Sequence, residues 1–351
     1  MILVVMKARA RTFQGIGAGL AAVLAVLLWT PMPAWGGKRP GQVVKPLAGP
    51  RATALQATPI YVQPDRKSAK VDRLQMGREM VVVEKSGPWL RVYANTDIEE
   101  LAHQKETPDF GGDETPPPIS GWIEGRGIVV EGSPRGDLVL MGAASEEEAL
   151  ASDPRGPVNA ARSAWLLYRR VVEMFPHSPL APEARWRAAD IEWQMEKADA
   201  ATRPSAREAA PYLRDRMDEE ELRKVIRDDP QSRWAALAAY DLIDNKLCGG
   251  WQGQEKCPEK ESEAYEKYAD DYPDGPKTAP ALYQATYRQA VLADMYKAGG
   301  NGKKSADARE HARALAARLK DKFPQTDSSW RAAALVYKLE EGIPVYGIDL
   351  N

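Results

Sequence analysis

The chain has 351 residues, 48 Lys and Arg against 50 Asp and Glu, and a formal charge of −2. A mildly acidic chain with both signs of charge interspersed is not built to neutralise a phosphate backbone, which argues against a nucleic-acid partner. The length suggests two or three domains by the usual size prior.

The first segment reads as an address. Lys7, Arg9 and Arg11 precede an uncharged apolar run from Ile16 to Trp29; Thr30, Pro31 and Pro33 then break any helix, and Ala34 or Gly36 offers a small residue for cleavage. That order is the secretory signal pattern, expected over residues 1–34. The apolar run spans roughly 21 Å as a helix, short of the ~30 Å hydrocarbon core. No cysteine stands near the cleavage site to carry a lipid, and no later stretch is long and apolar enough to span. The expectation is an exported chain of the periplasm or cell envelope, with no integral membrane span after cleavage.

A Pro- and Gly-rich linker (35–52) leads into a β-rich texture over 53–132. Extended pieces are expected at Pro59–Val62, Ala69–Leu74, Met80–Glu84, Trp89–Tyr93, Gly121–Glu124 and Ile128–Val130, with a turn at Lys85-Ser86-Gly87-Pro88. Short strands at this spacing suit a small barrel. The order Ile60-Tyr61-Val62, Lys70-Val71, Gly77, Val81-Val82-Val83, Gly87-Pro88-Trp89 and Gly121-Trp122-Ile123 resembles the bacterial SH3 domain family. The chain departs from that family's short hairpin by inserting residues 94–119, rich in Asp, Glu, Thr and Pro and read as an exposed loop. The resemblance implies binding of peptidoglycan or short peptides. Candidate ligand-binding aromatics are Tyr61, Trp89, Tyr93 and Trp122. For any single one of them core packing is the default, Trp122 above all, whereas Tyr61 lies between inward-facing Ile60 and Val62 and should point outward.

A second linker is expected over 133–156, and then the period changes to 3.6. Ala181, Ala184, Ala188, Ile191 and Met195 make one helix face, and Trp186, Ala189 and Trp193 make a second apolar stripe. A helix inside a stack needs two buried faces. Four prolines, Pro176, Pro230, Pro273 and Pro324, anchor an internal repeat over 157–341. Two residues after each come Ser178, Ser232, Gly275 and Thr326, and eight after come Ala184, Ala238, Ala281 and Ala332. Five before come Val171, Val225, Tyr268 and Leu319. Proline stops the first helix of each pair, Ser or Thr caps the second, and the alanine lets helix axes approach. Phe175-Pro176-His177-Ser178 and Phe323-Pro324-Gln325-Thr326 resemble tetratricopeptide-like repeats of exported envelope proteins, such as the outer-membrane assembly lipoprotein and the Tol–Pal coordinator. Here the spacing exceeds the usual ~34 residues. Residues 342–351 form a C-terminal tail. Trp165, Trp186, Trp193, Trp234, Tyr240 and Tyr283 divide between inter-repeat core, the default, and a concave groove. The acidic run Asp215 to Glu221 reads as a solvated helix start with Asp218 as its cap.

Cys248 and Cys257 flank a Gly-rich turn and are expected to form a disulfide in an oxidising compartment. Residues with the spacing of a catalytic or metal site are not found: His103, His177 and His311 lie far apart, and no cofactor or metal is expected. Gly299 to Ser305 looks like a phosphate loop only superficially; it reads as an inter-helix loop with Ser305 capping the next helix.

The fold class expected is multidomain, a small all-β SH3-like barrel plus an all-α tetratricopeptide-like helical-hairpin array. The function expected is non-enzymatic: the barrel holds peptidoglycan or a peptide, and the repeats hold an envelope protein. The alternative is an accessory subunit, with the barrel packed on the repeats, that regulates or recruits a cell-wall hydrolase or the outer-membrane assembly machinery.

Overall fold

A computed structural model describes residues 48–97 and 119–346. The expected signal segment, most of the first linker, the acidic insert apart from its two ends, His103 and the last five residues fall outside them.

Seven strands form one antiparallel sheet: β1 (Arg51–Ala54), β2 (Thr58–Tyr61), β3 (Lys70–Leu74), β4 (Glu79–Ser86), β5 (Trp89–Ala94), β6 (Ile119–Glu124) and β7 (Ile128–Val130), in the spatial order β3-β2-β6-β5-β4-β1-β7. Its core is made of strand residues alone, chiefly Ile60, Leu74, Met80, Leu90, Val92 and Ile123 with Ala52, Ala54 and Ala94, so the sheet must curl to bring them together. Gly121 sits where β6 crosses closest to β2: a Cβ there would lie 2.4 Å from Ile60 Cγ2 and 2.8 Å from the Tyr61 carbonyl oxygen. β1 straddles the boundary between the expected linker (35–52) and the expected β-rich segment (53–132), and is not among the expected strands. The segment RATA has no β-branched run, and its small alanines are inserted between β4 and β7 by pairing on both sides.

Nine α-helices follow among the described residues: α1 (Gly136–Ala151), α2 (Ala160–Met174), α3 (Ala181–Thr202), α4 (Glu220–Asp228), α5 (Arg233–Asp241), α6 (Lys256–Asp271), α7 (Thr278–Ala298), α8 (Gly302–Lys322) and α9 (Asp327–Glu340). Pro176, Pro230, Pro273 and Pro324 stand in the corners α2/α3, α4/α5, α6/α7 and α8/α9, and the two helices of each pair pack on one another. The repeat-equivalent Ala184, Ala238, Ala281 and Ala332 are all fully buried, as are Val171 and Leu319, with Val225 and Tyr268 nearly so. Both stripes of α3 are covered. Ala184, Ala188 and Ile191 join a core with α1 and α2, whereas Ala189 and Trp193 join one with α4 and α5.

The caps differ in detail from expectation. Ser232 accepts from Ala235 N–H and Thr326 from Ser329 N–H, as N-caps do. Ser178 instead donates to Asp137 Oδ2 on α1 at 2.6 Å, and α3 starts two residues later than such a cap would place it. Ser305 is no cap. Asn301 caps α8, and Ser305 is buried inside the helix, donating to the Ala293 carbonyl at 2.7 Å. Asp218 is not the cap of α4 either: Glu219 holds that position, and Asp218, one residue earlier, accepts from Glu220 N–H at 2.9 Å.

The expected linker 133–156 is a correction. It holds α1, whose Leu140 and Ala144 are fully buried against α2. That core also takes in Val129 of β7, with Leu55 and Met76 packed on it, so the sheet and the first helical hairpin share one interior and are not independent modules. Two further features weld them. Gly77 (φ +76°) lies against α2, where a Cβ would come within 2.7 Å of Leu166 Cβ. Arg170 of α2, fully buried, donates to the Gly77 carbonyl at 3.1 Å, to Glu79 at 3.1 Å and to Asp97 at 2.7 Å, and also pairs with Glu173.

Candidate functional site

Two surfaces collect the chemistry that the chain presents. The first is the outer face of the sheet. On β5, Leu90, Val92 and Ala94 point into the core, so Trp89, Arg91 and Tyr93 share the opposite face. The register places Tyr61 beside Trp122, Trp122 beside Arg91, and Tyr93 beside Ser120. All four candidate aromatics therefore lie on one face of three adjacent strands, outside the core cluster. This corrects the default of core packing, since Trp89, Tyr93 and Trp122 are half-buried there. Tyr61 is corrected in the other direction. It does share the outward face with Trp122, but it is only 7% exposed there, while Val62, expected inward, is 56% exposed. The Tyr61 ring meets Trp89 edge to face at 5.6 Å. Arg66 pairs with Glu124 at the end of this face.

The second surface is a groove of about 810 Å³ between α6 and α8. It exists because α7 backs both helices and keeps them apart. Ala281, Ala285, Ala290 and Ala293 are fully buried and let α6 and α8 settle closely on α7. The floor is Leu292, Tyr296 and Gln289 of α7 with Ala308 of α8. The walls carry Glu259, Glu263, Glu266, Asp270, Asp271 and Asp307 against Lys267, Lys304 and His311, a strong excess of negative charge. Along α6, positions 259, 263, 266 and 270 recur at helical spacing on one side.

Side chains of α8 lace the groove to α6. Lys304 reaches Glu259 at 3.9 Å, His311 Nε2 reaches Glu266 at 2.8 Å, and Arg318 donates to Asp270 at 2.7 Å; beyond the end of α6, Lys322 reaches Asp274 at 2.9 Å. Both sets of numbers rise together, so the two helices run in the same direction. Such exposed pairs contribute only about 0–1 kcal/mol each. The Tyr296 hydroxyl donates to Glu259, and burial and then that bond push its pKa up. Lys304 Nζ lies 4.8 Å from the same ring.

The far side of α7 is closed by the Cys248–Cys257 disulfide loop. Buried Glu261 accepts from Cys248 N–H at 2.8 Å, Trp251 Nε1 at 3.2 Å and Arg288 Nε at 2.8 Å. The Arg288 guanidinium lies 4.6 Å from the Tyr265 ring. The C-terminal tail joins there, with Val345 and Tyr346 N–H on Asp294 and the Tyr346 ring 5.8 Å from Trp251.

Of the helical aromatics, Trp165 and Trp193 are buried, whereas Trp186, Trp234, Tyr240 and Tyr283 are half-buried. Trp186 and Trp234 stack at 5.2 Å. Beside them burial, then the charges of Asp190 and Asp244, raises the Asp241 carboxyl to about 7. Glu192 on α3 is likewise raised to about 7 by burial and by Glu221 and Glu196.

No group of three or more His, Cys, Asp or Glu side chains among the described residues is arranged to hold a metal ion, and no described helix is long and apolar enough to cross a membrane. The groove residues were not singled out from the sequence, although the acidic spacing on α6 was there to be read. No protein-family model matches the chain, and no curated protein matches it in sequence.

Proposed function

We propose that this is a non-catalytic scaffold of the bacterial cell envelope, with the sheet's aromatic face taking a peptidoglycan or peptide ligand and the helical groove holding a protein partner. The observation that carries the reading is the groove itself: two parallel helices held apart over α7, with an apolar floor and charged walls, offer a partner segment a long, shallow seat. The aromatic face adds ring surface of the kind that stacks on sugars or prolines, and Trp89, Tyr93 and Trp122 keep part of it open. Export rests on the signal pattern of residues 1–34, and the barrel's ligand class rests on the resemblance to bacterial SH3 domains.

The alternative, an accessory subunit that regulates or recruits a cell-wall hydrolase or the assembly machinery, draws support from the shared core and the buried Arg170 network. These lock the sheet onto the helices. The test is to incubate the purified chain with isolated cell-wall sacculi and, separately, to cross-link it in envelope extract. Sedimentation with sacculi that Trp89→Ala and Trp122→Ala abolish, together with a captured envelope protein, supports the scaffold. Capture without sedimentation favours the accessory subunit. Neither would refute both.

A further inference from the structure

We infer that the outer face of α9 is a self-association surface, on which a second copy of this chain packs its own α9 antiparallel about a two-fold axis. This holds whatever the groove or the sheet binds.

Within the array, one face of each second helix carries the following hairpin. Thirteen residues after a corner proline come Ala189, Ile243 and Thr286, all buried. Ala189 shares a core with Leu222 and Val225 of α4, and Ile243 shares one with Tyr265 and Tyr268 of α6, the first helices of the next hairpins. Six residues after the proline come Ala236 and Ala279, also buried, and Pro182, which is exposed at the start of the array. In α9 the same two places hold Trp330 and Tyr337, and these are 62% and 60% exposed. α9 packs on α7 and α8 through Ser329, Ala332, Leu335 and Leu339, which turns the two aromatics outward. After α9 the chain bends back to α7, where Val345 and Tyr346 N–H meet Asp294, and leaves the face open.

The end of a repeat array is normally sealed by a polar outer face. Here Trp330, Ala333, Ala334 and Tyr337 are all exposed and recur at helical spacing as one apolar stripe. Asp327 in the first turn and Lys338 in the last turn flank it on the same side.

This stripe is its own complement. Turned antiparallel about the Ala333–Ala334 pair, each Trp330 meets the second copy's Tyr337, and the small alanines let the helix axes approach to about 8 Å. A two-fold contact brings like flanks together. Asp327 of one copy then lies beside Lys338 of the other, and each helix start lies beside a helix end, an arrangement both the charges and the helix dipoles favour. A parallel pairing would set Asp327 against Asp327 and Lys338 against Lys338. The face that joins one hairpin to the next inside the chain thus joins one chain to a second. About four turns of a single helix make a small contact, so the dimer is weak and reversible, with the aromatic rings supplying most of its affinity.

Analytical ultracentrifugation of the full chain at rising concentration tests this. The wild type should pass from monomer to dimer without larger species, because a two-fold contact closes on itself. Trp330→Asp/Tyr337→Asp should weaken the dimer at least about tenfold. Leu138→Asp/Leu150→Asp, at exposed apolar positions of α1, should leave it unchanged. Orientation is read with introduced cysteines and a short bis-maleimide, since Cys248 and Cys257 are already bonded to each other. Asp327→Cys chains mixed with Lys338→Cys chains should cross-link, and Asp327→Cys chains alone should not. A chain that stays monomeric up to about 1 mM overturns the inference. So does a dimer that both double variants weaken equally, or one that Trp330→Asp/Tyr337→Asp leaves intact. Cross-linking of Asp327→Cys to itself would make the pairing parallel and overturn it as well. A monomeric chain whose Trp330 face is covered by a different envelope protein would assign that face to a foreign partner instead.

Discussion

Arg170 of α2 and Asp97, in the turn that follows β5, form an ion pair at 2.7 Å in which both side chains are shut off from solvent. Asp97 also meets Arg78 at 3.5 Å, and Arg170 also meets Glu79. Burying one such charge without partners would cost several kcal/mol, so the network holds only while sheet and hairpin are docked. It makes the joint between the two parts a condition of either being folded.

Arg170→Ala should therefore destabilise the whole chain by about 3–5 kcal/mol, because it leaves Asp97 and Glu79 charged inside the joint. Urea unfolding monitored by tryptophan fluorescence and by far-UV circular dichroism checks this. The wild type should show coincident transitions for sheet and first hairpin, and the variant should lose both together. A variant that unfolds the sheet alone would show that the joint is not shared.

Gly77→Ala tests the same joint without touching a charge. The added Cβ meets Leu166 at 2.7 Å in a backbone conformation that glycine alone adopts easily. A loss of about 1–3 kcal/mol is expected, with limited proteolysis newly cutting at the boundary between Gly132 and Gly136. Unchanged stability would mean that α2 yields to the added methyl group without cost.

Asp241 sets a pH dependence. Its folded pKa of about 7 lies above its ordinary 3.8, so the folded chain holds a proton that the unfolded chain has released over that interval. The stability linked to it is complete below about pH 4, declines as pH rises, and reaches its floor above about pH 7. Asp241→Asn should flatten this decline and raise stability at pH 8 by about 1–2 kcal/mol. Thermal melts at pH 5 and pH 8 decide it. Equal slopes in wild type and variant would place the titration elsewhere, with Glu192 the next group to replace.

Cys248→Ser/Cys257→Ser should lower stability by about 2–3 kcal/mol, as expected for opening so short a loop. The damage should concentrate on Trp251, whose indole N–H shares Glu261 with the Cys248 N–H. Trp251 fluorescence, isolated by comparison with Trp251→Phe, should red-shift on reduction with the rest of the spectrum unmoved. No shift would mean that the Glu261–Arg288 pair holds the loop unaided.

The sequence by itself determined what depends on near neighbours along the chain. The change of period from 2 to 3.6, the four proline corners with their buried alanines, the two-faced helix α3 and the short cysteine loop are all written in spacings of a few residues. Tertiary structure decided the rest. α1 was legible only as a linker, since its helix is justified by a face buried on α2. Tyr61 keeps its outward place but is buried there, edge to face with Trp89 from a strand 28 residues further along the chain. The groove and the Arg170 network join residues dozens of positions apart. Coulomb attraction and burial act between such residues only once the backbone has brought them within reach, and no local periodicity records in advance which carboxylate will find its cation.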